Sequence, residues 1–218
     1  MQRLSQIFDR AVGPKKVLAL GAHADDIEIG CGGTIMELLQ ANPDFEITWA
    51  VLAATGIRQK EAVESANFFL QNARGKEIIT KTFRDGYFPH EWAAIKDFFE
   101  TIKTSVQPDL ILTHARHDLH QDHRVVSELT WNTFRDHLIL EYEIMKYDGD
   151  LGAPNVFVPL SSATVSRKIE IIMDCFPSQR DKNWFSPDAF SAILRLRGVE
   201  SNAPEGFAEG FYGRKIVF

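Results

Sequence analysis

Cysteine is scarce in this chain: Cys31 and Cys175 are the only two among 218 residues. They cannot build a disulfide framework, and no CxxC pair is present to seat a structural zinc. Long apolar runs are missing as well, and no stretch reaches the ~18–20 residues needed to span a bilayer. The start, MQRLSQIFDR, is charged and amphipathic and has no signal-peptide core. These absences predict a cytoplasmic protein in a reducing compartment, without an integral membrane segment. An excess of positive charge is also lacking. Against 24 Lys+Arg stand 30 Asp+Glu, a net charge of −6, which argues against a nucleic-acid binder that works by bulk charge. No internal repeat, low-complexity tract or linker composition divides the chain, so residues 1–218 are read as one domain.

What is present is an alternation of strand-like and helix-like segments. Apolar, β-branched runs at Lys16–Ala22, Glu46–Ala53, Lys76–Ile79, Leu110–Thr113 and Glu141–Ile144 read as strands. Helical spacing marks Thr34–Ala41, Arg58–Asn72, Glu91–Ser105 and residues 123–134 and 162–175. This order predicts an α/β fold with a mostly parallel sheet covered by helices on both faces. Residues 176–207 are punctuated by Pro177, Pro187, Gly198, Pro204 and Gly206, and are expected to be an irregular segment that lies over a site as a lid.

Histidine carries the chemistry. Of seven, four stand at every third position: His114, His117, His120 and His123. They follow the strand Leu110–Thr113, and a fifth, His23, follows the strand Lys16–Ala22 in the run His23-Ala24-Asp25-Asp26. Ligands of open parallel sheets bind beyond the carboxyl ends of the strands, so both runs are well placed for a site. Adjacent carboxylates repel unless a cation lies near. Other readings of the first run are a polar turn in which Asp26 caps a helix, and a phosphate-binding turn using Gly30, Gly32 and Gly33. The latter lacks the GxGxxG order and a P-loop lysine. A solvated His-rich loop is the plain alternative for the second run. Together the runs supply two His and a carboxylate, which suits a catalytic zinc site with an open position.

The strand followed by AHADD, the GCGGT segment, HQDH, the RQKE helix start and Ala208-Glu209-Gly210-Phe211 resemble, in order, motifs of the LmbE-like or PIG-L family of zinc-dependent N-acetyl sugar deacetylases. The resemblance implies a Rossmann-like three-layer α/β sandwich and removal of acetyl from an N-acetylglucosamine-type conjugate. It implies Zn2+ on His23, Asp26 and His123, with Fe2+ as another divalent option. It makes Asp25 the general base, and His120 the group that stabilises the oxyanion or protonates the leaving amine. Asp122 would orient a histidine ligand and raise its basicity. Arg58 is a candidate for a substrate hydroxyl or anion, and Arg195 in LRLRG a candidate for an anionic group, with surface pairing as its alternative. The partner is then a small molecule or glycan, and relatives imply a homo-oligomer.

The chain departs from the family pattern in places. Ala24 stands where Pro is usual, Ile27 separates the Asp pair from Glu28, and Asp118-Leu119 precede His120 where some members carry an oxyanion-assisting Tyr. Two competing readings are a non-haem iron oxygenase, which also uses two His and a carboxylate, and an inactive sugar- or nucleotide-binding module.

Overall fold

The computed structural model describes residues 16–216; the amphipathic start lies outside the described residues. The strands are β1 (Lys16–His23), β2 (Glu46–Ala53), β3 (Gly75–Thr80), β4 (Leu110–His114), β5 (Leu138–Tyr142), β6 (Val156–Leu160) and β7 (Phe207–Gly213). The helices are α1 (Asp26–Ala41), α2 (Gly56–Phe69), α3 (Trp92–Ser105), α4 (Gln121–Thr133), α5 (Ser162–Cys175) and α6 (Pro187–Ser201). One seven-stranded sheet runs β3-β2-β1-β4-β5-β7-β6. Its first five strands are parallel, and β7 is antiparallel to both β5 and β6. The expected three-layer α/β sandwich is therefore present.

Alternate residues of the central strands feed two cores, as the two-residue strand period requires. Val17, Ala19, Trp49, Val51 and Leu112 pack with Ile35, Phe69 and Ile172 of α1, α2 and α5. Leu18, Leu20, Leu52 and Ile111 pack with Ile95, Phe99, Val126 and Leu129 of α3 and α4 on the opposite face. Burial on both faces explains why these strands read as unbroken apolar runs. No helix of the described residues is long and apolar enough to cross a membrane.

Three sequence expectations need correction. Helix α1 begins at Asp26 rather than Thr34, so the glycine-rich stretch is helical. Close packing overrides its poor propensity: a Cβ at Gly30 would overlap the Tyr142 ring, and one at Gly32 the Phe69 ring. Residues 176–207 are not irregular throughout. Ser186 caps α6 through a bond from the Ala189 amide, and Pro187 occupies the first turn, where its missing N–H costs nothing. The pair β6 and β7 escaped the sequence reading altogether, and β5 begins three residues before the expected start.

Candidate active site

The strand order reverses at β1, whose neighbours are β2 on one side and β4 on the other. This is the crevice where open α/β sheets bind ligands. The last residue of β1 is His23 and the last of β4 is His114, so the topology delivers both histidines to the same edge. A tight turn then leads into α1. Asp25 sits in it at φ 115°, a region that L-residues rarely occupy, so the turn is strained. Asp26 opens α1, and its Oδ2 accepts the His23 amide at 2.7 Å. On the other side, His120 caps α4, its Nδ1 accepting the Asp122 amide at 3.2 Å.

Three donor atoms converge. His23 Nδ1 lies 3.2 Å from His123 Nε2 and 3.4 Å from Asp26 Oδ2, and His123 Nε2 lies 3.5 Å from Asp26 Oδ2. Tetrahedral bonds of about 2.0–2.1 Å give ligand–ligand edges of roughly 3.3–3.4 Å, so the triangle has the size a zinc-like ion needs. Carboxylates flank the far nitrogens of both rings. His123 Nδ1 is 2.9 Å from Asp118 Oδ2, and His23 Nε2 is 3.2 Å from Asp122 Oδ2. A carboxylate on the far nitrogen favours a proton there, which in the neutral His123 ring leaves Nε2 a lone pair. Burial opposes charge on His23, but its hydrogen bonds to Asp122, Asp26 and Asp85 prevail and raise it well above the ordinary histidine value, so this ring must give up its Nδ1 proton to take an ion. A ring nitrogen of His120 stands within 4.8 Å of those of His23 and His123, and a second grouping of donors joins Asp26, His114 and His123.

Burial and charge set the protonation states. Asp25 is pushed up to about 7 by burial, against the opposing pull of Arg58. Burial would also raise Asp26, but the neighbouring His123 and His114 hold it well below the usual carboxylate range. Burial, then His114, brings His123 down to about 4, so its ring is neutral at pH 7. Glu28 lies fully buried in α1 and is pushed up by burial to about 8, so it adds no charge here.

Not every sequence candidate reaches this cluster. Arg58 does: its guanidinium bonds Asp25 Oδ1 at 3.0 Å and the carbonyl of Ala24, and lies 3.5 Å from Glu61. It braces the strained turn, and so is already engaged within the protein. Arg195 does not. It is exposed on α6, where it donates to the Gly206 carbonyl at 3.1 Å and covers the Phe207 ring, none of which belongs to the site. Asp122 is in place, and it also accepts the amides of Gly86 at 2.6 Å and Phe88 at 3.1 Å, tying the 84–88 loop to α4.

Asp118 and Asp85 had no site role in the sequence reading, and His114 was in the histidine cluster without an assigned role. His114 is fully buried, its Nε2 3.0 Å from the Ala22 amide and 3.2 Å from Asp26 Oδ2, while its ring stacks on His123. Asp118 points inward to His123 rather than out toward a substrate, so it does not replace the Tyr of some relatives. Asp85 is exposed and reaches His23 Nε2 at 3.1 Å. An Asp-Gly turn signal at 85–86 was readable, but its delivery to the end of β1 is a tertiary event. His117 packs edge-on against Tyr212 and is exposed.

Residues 18–134, more than half of the chain, match the family described as PIG-L: GlcNAc-PI de-N-acetylase. The chain belongs to the PIG-L family. Solved structures share its fold. The conserved protein TT1542 from Thermus thermophilus is 19% identical, with TM-score 0.73 over 93% of this chain and 96% of that one. N,N'-diacetylchitobiose deacetylase from Pyrococcus horikoshii is 22% identical, with TM-score 0.69 over 92% and 84%. GalB, the 4-carboxy-2-hydroxymuconate hydratase from Pseudomonas putida, is 16% identical, with TM-score 0.74 over 94% and 98%. The PIG-L match spans β1 to α4 and thus contains the whole His/Asp cluster.

Proposed function

We propose that this PIG-L member is a metal-dependent amidohydrolase that removes acetyl from an N-acetylated sugar of the N-acetylglucosamine type. The observation that carries the reading is the convergence of His23 Nδ1, His123 Nε2 and Asp26 Oδ2 within 3.2–3.5 Å, with two rings oriented by carboxylates. These three residues would hold a divalent ion, for which zinc suits the nitrogen-rich donor set. When bound, such an ion supplies Lewis acidity and lowers the pKa of water.

The residues of the chain divide the proton work. Asp25 is adjacent to the cluster yet outside its donor triangle, and it takes the proton of the attacking water as the oxygen adds to the acetamide carbonyl carbon. His120 has Nδ1 engaged by the Asp122 amide, so its neutral ring carries the proton on Nε2 and donates there to the carbonyl oxygen as negative charge develops. The C–N bond then breaks, the amine nitrogen receives the proton that Asp25 took from the water, and acetate and a free amine leave. Arg58 holds Asp25 in its strained position.

A hydratase shares this fold, so architecture alone does not choose the reaction. The test is acetate release from a panel of N-acetylglucosamine conjugates, by protein stripped of metal and then reloaded with zinc. Metal-dependent release is expected. No release from any conjugate by loaded protein refutes the reaction class.

A further inference from the structure

Lys146 lies outside the cluster, in the connection between β5 and β6, yet its ammonium group is sequestered. Its side chain is 9% exposed, and Nζ stands 3.1 Å from Asp118 Oδ1 and 2.5 Å from Asp150 Oδ2. Both carboxylates are themselves buried, at 3% and 6% side-chain exposure. Each then holds the 118–120 turn. Asp118 Oδ1 accepts the His120 amide at 2.8 Å, Asp118 Oδ2 meets His123 Nδ1 at 2.9 Å, and Asp150 Oδ2 accepts the Leu119 amide at 2.7 Å. One cation therefore joins two buried anions that fix the backbone on which His120 is mounted and the ring of His123.

We propose that Lys146 is a positioning residue for the metal centre, holding Asp118 in the place from which it orients His123. The proposal rests on the reading of His123 as a metal ligand. Its physical basis is the cost of burying Asp118 and Asp150 close together without a counter-charge. If the ammonium group is removed, the two carboxylates lose the cation that bridges them and must move apart. That movement weakens the Asp118–His123 bond, and the ring is then free to place its proton on Nε2, where no metal can bind.

The test uses the full chain and zinc, with affinity measured by competition against a chromophoric chelator and the His123 tautomer followed by ring 15N shifts in metal-free protein. Lys146→Met is expected to weaken zinc binding by about 10–100-fold, the usual effect of losing a partner that orients a ligand. It should also convert His123 from a single Nδ1-protonated form to a mixture. Lys146→Arg should restore both, and Asp118→Asn should reproduce the loss. Asp150→Asn keeps the Lys146–Asp118 pair and should bind zinc close to the wild-type value. The proposal is overturned if folded Lys146→Met keeps wild-type affinity and tautomer, or if Asp150→Asn loses as much. Should Lys146→Met not fold, wild-type affinity in Asp118→Asn overturns it equally. Wild-type protein that binds no zinc, or His123→Ala that binds it normally, would instead remove the underlying reading of the site.

Discussion

Glu209, within the AEGF stretch that resembles a family motif, offers the sharpest test of where that motif acts. It lies on β7, 3% exposed. Its Oε1 accepts the Gly33 amide at 2.8 Å and Lys168 Nζ at 2.6 Å, and its Oε2 accepts the Thr34 amide at 2.7 Å. Lys168 also donates to the Ile29 carbonyl at 2.7 Å and is 1% exposed. Ile29 and Gly33 are i and i+4 neighbours of α1, so this ion pair clamps the glycine-rich part of the helix to α5 and the antiparallel edge of the sheet. Glu209→Gln keeps the shape and leaves Lys168 charged, buried and without its anion. Removing one partner of such a pair costs about 3–5 kcal/mol. At this chain length 1 kcal/mol moves the midpoint by about 2–4 °C, so a fall of roughly 6–20 °C is expected in calorimetry. Adding Lys168→Met removes the stranded charge and should recover part of the loss, giving non-additive energies. Zinc stoichiometry below the transition should not change, because no contact of this pair reaches His23, Asp26 or His123. A loss under about 1 kcal/mol in Glu209→Gln, or strictly additive losses in the double variant, would refute the argument.

Asp25→Asn should abolish most acetate release, by about 10²–10⁴-fold, while zinc content measured by atomic absorption stays at the wild-type level. Asp26→Ala should do the reverse and lose the metal; full occupancy would remove its place in the donor triangle. Arg195→Ala should leave KM and kcat for any active conjugate unchanged, since its partners are Gly206 and Phe207. Glu28 titrates at about 8 in the fold, against 4.5 for a free side chain. Its folded pKa is raised, so the unfolded chain releases this proton first, and Glu28 costs stability increasingly as pH rises from about 4.5 to about 8. Glu28→Gln should flatten that part of the metal-free stability profile, as read by urea denaturation at several pH values. An unchanged slope would show that Glu28 is ionised inside the protein.

The parallel half of the fold was legible because its strands are buried on both faces and its helices are amphipathic. Val17–Ala22 and Ile47–Leu52 carry that signal without help from distant residues. The antiparallel edge is different. β6 holds Pro159 and two half-buried valines, and β7 is Gly- and Glu-bearing, so neither run shows the apolar continuity of a central strand. Helix α1 was misplaced for a related reason: Gly30 and Gly32 are poor helix formers, and what holds them in helix is the Tyr142 ring from β5 and the Phe69 ring from α2, both far along the chain.

The same distinction governs the site. His23, Asp25, Asp26, His120 and His123 are grouped within short stretches at strand ends, so spacing and topology sufficed to bring them forward as candidates. Which carboxylate meets which ring is not readable in the same way. Asp122 Oδ2 stands 3.2 Å from His23 Nε2 across 99 positions, whereas Asp118 Oδ2 meets His123 Nδ1 at 2.9 Å from five positions away. Lys146 comes from beyond the next strand, and its sequence neighbours look like an ordinary polar loop. A donor's residue type can be read from sequence, but the direction of its lone pair depends on which carboxylate the fold brings to the far side of the ring. That is why variants of Asp118 and Lys146, rather than further changes in the HQDH stretch, discriminate between a cluster that merely collects histidines and one built to hold an ion.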